Sequence, residues 1–388
     1  MRVLNFYHLM IISRHQRKFH VNAVSSLGQN FSSTSRDSVD LGSVLCRASN
    51  FCDKKTVTET VTEMCLAFAK QRHGKVKHRG QAPLLHTHYT DQSCEGTAMS
   101  AFDLITPRDH DLGGGFMIRR LLPAPQRQTV GPFIFFDHFG PVTQQPGANH
   151  DVRPHPHIGL ATVTYLFEGA MMHRDSLGRV QRIEPGAINW MTAGRGIVHS
   201  ERTPEDLRNV SRRLHGFQIW LALPAEAEEV APDFQHTPAS NIPTVSLPGA
   251  QVRVLVGSAF GVASPVRTLS PTVYLDITLE AGATLTLPDC GPERAVYGID
   301  QAFELDGQSA PACHMLVLAP GSTPLLRAAQ ATRLVLIGGA PLGPRHLHWN
   351  FVSSRPERIT QARDDWAAQR MGQVPGETEF IPLPGLPQ

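Results

Sequence analysis

From Phe102 onwards the chain consists of short runs of β-favouring residues, each broken off by Gly or Pro. Strand candidates are Phe116–Leu122, Phe133–Phe136, Ala161–Phe167, Ala187–Met191 and Leu214–Leu223. Turn signals at Pro123–Pro125, Pro146-Gly147, Ser176–Gly178 and Pro185-Gly186 separate them. Runs at this spacing predict a sandwich or barrel, not alternating strands and helices. Composition points the same way: 32 Gly and 30 Pro against 18% charged residues leave little material for long solvated helices. The expected fold class is all-β.

A stretch from Pro224 to Pro248 reads as a connector, and a second strand set follows it. Its members are Val252–Val256, Thr272–Leu279, Ala283–Leu287, Met315–Leu318 and Thr332–Ile337. Thr284-Leu285-Thr286-Leu287 alternates cleanly, which buries one face and wets the other. The two sets look like an internal repeat. Glu168-Gly169 stands 17 positions before Pro185-Gly186, and Asp306-Gly307 stands 14 before Pro320-Gly321. Counting through that match places Glu293, Ala295 and Leu334 where the first set has His155, His157 and His199, so the second set has no ligands of its own. The tail predicts a short helix: Ser354 and Glu357 form a capping box, Pro356 fits the first turn, and Gly372 supplies a stop. Ile359, Ala362 and Trp366 recur at helical spacing, so Trp366 is expected to pack onto a barrel.

Residues 1–98 differ from the rest. Arg2, Arg14, Arg17, Lys18 and Arg36 all precede the first acidic residue, Asp37. Such a start suits an organelle transit peptide. A disordered extension, or a start site set too early, is preferred, because Met99-Ser100 directly precedes the patterned region. The expected divisions are therefore 1–98 as an extension, 99–235 and 236–350 as two barrels, and 351–388 as helix and tail. Six cysteines show no paired zinc-ligand spacing, which favours reduced thiols and a cytoplasmic location. A net charge of +2 gives no general pull towards nucleic acid or anionic membrane.

The chemistry concentrates in Arg153-Pro154-His155-Pro156-His157-Ile158-Gly159 and Gly196-Ile197-Val198-His199-Ser200-Glu201. Residues i and i+2 of a strand point to one side, so His155 and His157 project together, as do His199 and Glu201. On neighbouring strands of a barrel, the two pairs can converge on one interior point. Three imidazoles and a carboxylate suit Fe, Mn, Ni, Cu or Zn. Four protein ligands on an octahedral ion leave two places, enough for a chelating substrate or for one substrate atom plus dioxygen. Glu201 is also the candidate general base for an incoming hydroxyl. A single His-x-His is more often a pair of hydrogen-bonded core histidines, and it is the second pair that favours a metal site.

Other polar residues carry weaker signals. Asp137 and His138 either orient a ligand imidazole or serve a turn. His173, Arg174 and Asp175 read as a solvated hairpin loop. Gln218 and Trp220 line the cavity or simply pack, and His346 and His348 are structural.

Phe133–Pro141 (FIFFDHFGP), Arg153–Gly169 (RPHPHIGLATVTYLFEG), Pro185–Glu201 (PGAINWMTAGRGIVHSE) and Trp349–Arg358 (WNFVSSRPER) resemble the pirin family over residues 102–388. The resemblance implies a bicupin, two cupin-type β-barrels with one iron, as Fe(II), in the first. The family's three histidines and one glutamate fall on His155, His157, His199 and Glu201. Ala161 departs from the pattern, since better-known pirins carry Glu there, and the pocket is expected to differ accordingly. Two functions follow from the resemblance. One is a quercetin 2,3-dioxygenase-type oxygenase acting on a flavonol-like small molecule. The other is a metal-dependent regulator acting through protein partners, without direct contact to nucleic acid or membrane. A metal-free structural role is the third reading.

Overall fold

A computed structural model describes residues 102–112 and 116–384. The expectations for residues 1–98, including those for Cys46, Cys52, Cys65 and Cys94, lie outside the described residues.

Strands dominate. The first group is β1 Asp103–Ile105, β2 Arg108–Asp111, β3 Met117–Leu122, β4 Phe133–Gln144, β5 Val152–His157, β6 Leu160–Glu168, β7 Met171–Asp175, β8 Val180–Ile183, β9 Ile188–Thr192, β10 Ile197–Arg202, β11 Arg212–Ala222 and β12 Asp233–Thr237. The second group is β13 Thr244–Leu247, β14 Ala250–Val256, β15 Ser258–Ala259, β16 Val262–Ala263, β17 Thr272–Leu279, β18 Thr284–Thr286, β19 Glu293–Gly298, β20 Phe303–Leu305, β21 Gln308–Ala310, β22 Met315–Val317, β23 Leu325–Arg327, β24 Thr332–Gly339, β25 His346–His348 and β26 Phe351–Ser353. One helix, α1 Pro356–Ala367, follows.

Four sheets make two barrels. The first barrel sets a seven-stranded sheet, β12-β9-β6-β11-β4-β3-β2, against a four-stranded one, β5-β10-β7-β8. In the second, β1-β22-β19-β24-β17-β14-β13 stands against β18-β23-β20-β21. The repeat is therefore a repeat of strand order. Its edges are crossed: β1 precedes the first barrel in sequence but pairs with β22, Asp103 opposite Val317.

The alternation along the central strands decides what each face does. In β11, Phe217, Ile219 and Leu221 join Val163 and Tyr165 of β6 in a core shared with Tyr274, Tyr297, Val335 and Ile337 of the second barrel. The intervening residues, Gln218 and Trp220, face the interior of the first barrel, lining its cavity. Inside the second barrel, Val252, Leu275, Leu285, Leu326, Leu334 and neighbouring apolar side chains fill the space. Polar ties join the barrels as well. Tyr165 donates to Asp276 at 2.6 Å, and His138 Nδ1 lies 2.7 Å from the Tyr297 hydroxyl.

Several expectations need correction. The stretch Pro224–Pro248 is not a bare connector, since β12 extends the first large sheet and β13 the second. Counting placed the repeat one hairpin out of register. Asp306-Gly307 is the turn between β20 and β21, the counterpart of the β7–β8 turn, whereas Glu168-Gly169 follows β6. The strands matching β5 and β10 are β18 and β23, where Leu285 pairs with Leu326. The capping box does not form: Arg355 is the helix N-cap, and Ser354 gives its backbone N–H and its hydroxyl to Glu228. Helix α1 also stops before Gly372, at Ala368. Trp366 is buried against Ile158, Val198 and Phe351, on the outside of the first barrel. Among the described residues no helix is long and apolar enough to cross a membrane.

Candidate metal centre

Strands β5 and β10 lie side by side and antiparallel, with His199 opposite His155 and Ile197 opposite His157. Gly159 ends the first segment at a φ of +66°, where a Cβ would meet the Val352 carbonyl oxygen at 1.9 Å. Only glycine allows that close approach, and it ties the ligand strand to β26. His155, His157 and His199 each offer a ring nitrogen, and these atoms all lie within 4.8 Å of one another. All three are buried, at 7%, 1% and 1% exposure.

Burial pushes the His155 imidazole down to about 4, and holds His157 and His199 well below 6.5. Neutral imidazoles are the form that binds a metal. Arg153 supplies the carbonyl that lies 2.9 Å from His155 Nδ1, which fixes the proton there and leaves Nε2 with its lone pair. His199 Nε2 is buried with no hydrogen-bond partner, while His157 meets the Asn350 backbone. An orphaned ring nitrogen within a converging histidine trio is costly unless something occupies the shared space, and a divalent cation fits that donor set.

Glu201 is also buried, at 8% exposure, but its carboxylate is not part of the close trio. Its side chain instead takes hydrogen bonds from Thr164 and Gln218. Burial pushes the Glu201 carboxyl up to about 7, while those hydrogen bonds pull it down. A cation alongside would act in the same direction as the hydrogen bonds.

The site opens into a cavity of about 670 Å³. Phe135 and Trp220 stack in its wall, with ring centroids 4.1 Å apart, and Trp220 meets the His157 ring edge-on at 5.2 Å. Ile381, from the tail, lines the same cavity and donates its N–H to the Pro154 carbonyl at 2.8 Å. The arrangement places His155, His157 and Glu201 in the wall of a pocket sized for a drug-like aromatic molecule, with His199 beside the two imidazoles.

The weaker candidates resolve as follows. Gln218 and Trp220 line the cavity, and so does Asp137. Asp137 sits within β4, not in a turn, and is held by both nitrogens of a fork from Arg120 at 2.8 and 2.7 Å. Burial pushes its carboxyl up to about 6 against the pull of Arg120. His138 faces the second barrel, and neither residue hydrogen-bonds to a ligand imidazole. His346 is exposed and His348 half-buried, away from the trio. Ala161 lies in the core between the barrels and does not line the cavity, so the departure from the family pattern there leaves the pocket wall untouched.

His173 and Asp175 are the chief correction. They are not a solvated loop: they lie on β7, paired to β10, at 3% and 0% exposure. Their i, i+2 spacing is the same signal that singled out the ligand pairs, and a nearby Leu177-Gly178 turn obscured it.

Comparison with known proteins agrees with this geometry. The family described as Pirin matches residues 115–221, and the Pirin C-terminal cupin domain matches residues 274–372. A pirin-like protein of Caulobacter vibrioides is 48% identical over 282 residues, covering 71% of this chain and 97% of that protein. This chain belongs to the pirin family. Pirin of Homo sapiens is 34% identical over 277 residues, 69% of this chain and 92% of its own length. Among solved structures, quercetin 2,3-dioxygenase from Acinetobacter baumannii superposes with a TM-score of 0.68 at 35% identity, covering 74% of this chain and 96% of that one. The pirin match spans both barrels, so the bicupin architecture belongs to the whole described region.

Proposed function

We propose that His155, His157, His199 and Glu201 hold one divalent metal, Fe(II), and that the protein is an oxygenase for a chelating, flavonol-like aromatic substrate. The observation that carries the reading is the trio of buried, neutral imidazoles, two of which, His155 and His157, line an aromatic-walled cavity. Its likeness to a solved quercetin 2,3-dioxygenase supports the reaction class. When bound, the metal supplies a Lewis-acid centre with open positions at which substrate and dioxygen meet.

The chain's own residues do the rest. Trp220 and Phe135 give a flat apolar wall that orients an aromatic ring. Glu201 faces the same space and accepts the proton of an incoming hydroxyl at its carboxylate, while Thr164 and Gln218 keep that carboxylate in place. Burial of the imidazoles excludes competing water from the ligand nitrogens.

Oxygen uptake by iron-loaded protein with quercetin tests this directly. Consumption that disappears in His155→Ala is the expected result. Absence of uptake, or uptake unchanged by that substitution, removes the oxygenase reading and leaves the metal-dependent regulator acting through protein partners. That alternative is tested in turn by partner capture with wild type and Glu201→Ala.

A further inference from the structure

His199 presents two ring nitrogens to different surroundings. Nε2 is buried and unpartnered, whereas Nδ1 lies 3.4 Å from Nδ1 of His173. His173 continues the chain, with its Nε2 2.9 Å from Asp175 Oδ2. The other Asp175 oxygen, Oδ1, accepts the backbone N–H groups of Leu177 at 2.9 Å and Arg179 at 3.1 Å. Phe234 stacks on the His173 ring, centroids 4.2 Å apart and planes 19° from parallel. The His173 ring is thus held on a face and at both nitrogens.

The protons in this chain can be placed from donor and acceptor chemistry alone. A carboxylate only accepts, so His173 carries its hydrogen on Nε2, and in the neutral ring Nδ1 keeps a lone pair. Two Nδ1 atoms facing each other need one hydrogen between them, which must then belong to His199. His199 Nε2 is left with a lone pair. Building on the metal-site reading above, we propose that His173, anchored by Asp175, is a positioning residue that fixes His199 in the Nδ1–H form and so offers its Nε2 lone pair to a divalent metal. Outer partners of this kind orient a ligand ring and raise its basicity.

Asp175→Asn reverses the chain. Leu177 and Arg179 hold the amide oxygen, so the amide NH2 points at His173 and donates to Nε2. The His173 hydrogen then moves to Nδ1, and the His199 hydrogen is displaced onto Nε2, facing the metal. His173→Gln, by contrast, keeps a donor for Asp175 and an acceptor for His199, and His173→Phe keeps only the ring stacked on Phe234.

The test measures Co(II) affinity of the full chain by chelator competition, with the melting temperature of the metal-free protein recorded beside it. Asp175→Asn and His173→Phe are expected to weaken Co(II) binding by roughly 10–100-fold, while His173→Gln stays nearer wild type. Unchanged affinity in His173→Phe, or equal losses in His173→Phe and His173→Gln, overturns the proposal. Should Asp175→Asn fail to fold, the two His173 variants still decide the matter, because they leave the Asp175 turn intact. A wild-type protein that fails to bind Co(II), or binds it just as well after His199→Ala, defeats the metal-site reading itself. Binding that is lost in His199→Ala but kept in His173→Phe defeats only the positioning role.

Discussion

The two barrels share one strand order and have opposite interiors. Where β5 and β10 of the first carry His155, His157 and His199, the corresponding β18 and β23 of the second carry Leu285 and Leu326. The second barrel is held from within, by apolar side chains that fill it. The first has a cavity of about 670 Å³ there, flanked by smaller apolar clusters, and two further cores lie on its outer faces. One face of its large sheet rests on the second barrel, and the backs of its ligand strands rest on the tail, where Ile158 and Val198 meet Phe351, Ile359 and Trp366. An interior that keeps a cavity is offset by packing on the outer faces.

The strongest way to break that contrast is to remove the outer support. Trp366→Ala is expected to cost about 3–5 kcal/mol, the usual penalty for truncating a buried tryptophan. Its indole N–H also donates to the carbonyl of Ile381, a cavity residue, at 2.9 Å. Chemical denaturation checks the figure. A cost below about 1 kcal/mol, well outside the range for such truncations, would mean that the first barrel does not lean on the tail.

A smaller effect tests the interior. His199→Leu makes the first barrel more like the second, replacing a buried ring that carries an orphaned nitrogen. Without metal, the variant is expected to stay near wild-type stability, because removing the orphaned Nε2, worth about 1–3 kcal/mol, is offset by leaving the buried His173 Nδ1 without its donor. It should bind no metal. Destabilisation in the metal-free state would show that the imidazole serves packing first.

How much of this contrast was legible in the sequence depends on the kind of signal. The candidate pairs, His155 with His157 and His199 with Glu201, could be proposed because strand periodicity is two, and of the four the three histidines converge. The strand runs were legible for the same reason. Pairing partners were not, because nothing local in Asp103–Ile105 says that β1 leaves its neighbours to join β22. Ser354 failed as a cap because the preference is local, and a buried carboxylate distant in sequence, Glu228, claimed its donors instead. His173 and Asp175 were misjudged because a turn signal two residues away outweighed their spacing. Glu201 shared a strand with His199 as expected, yet its hydrogen bonds to Thr164 and Gln218 depend on register between strands, which spacing does not encode.

The seam between the barrels gives a pH test. Burial pushes His138 down to about 2, with His215 and Arg119 adding in the same direction. The folded state therefore excludes a proton that the unfolded state takes up below its ordinary value near 6.5. Stability is complete above pH 6.5 and falls as pH drops towards the folded value. One excluded proton gives a slope of about 1.4 kcal/mol per pH unit. Between pH 6 and 4, His138→Phe should flatten the dependence by about that slope, whatever it does to absolute stability by removing the bond to Tyr297. An unchanged slope would show that the seam opens before His138 is protonated.

The smallest expected effect sharpens the comparison at one strand. In β5, His155, Pro156 and His157 are all buried, because the tail covers the outer side of the first barrel. In β18 only Leu285 is buried, and Thr284 and Thr286 are exposed. Thr284 stands opposite Arg327, so Thr284→Glu adds an exposed cross-strand ion pair while losing some β preference. The two terms nearly cancel, and stability should stay within about 0.5 kcal/mol of wild type. A substantial loss in chemical denaturation would mean that this outer face is covered as its counterpart in the first barrel is, and the division of labour between an inner and an outer core would fail where it is easiest to check.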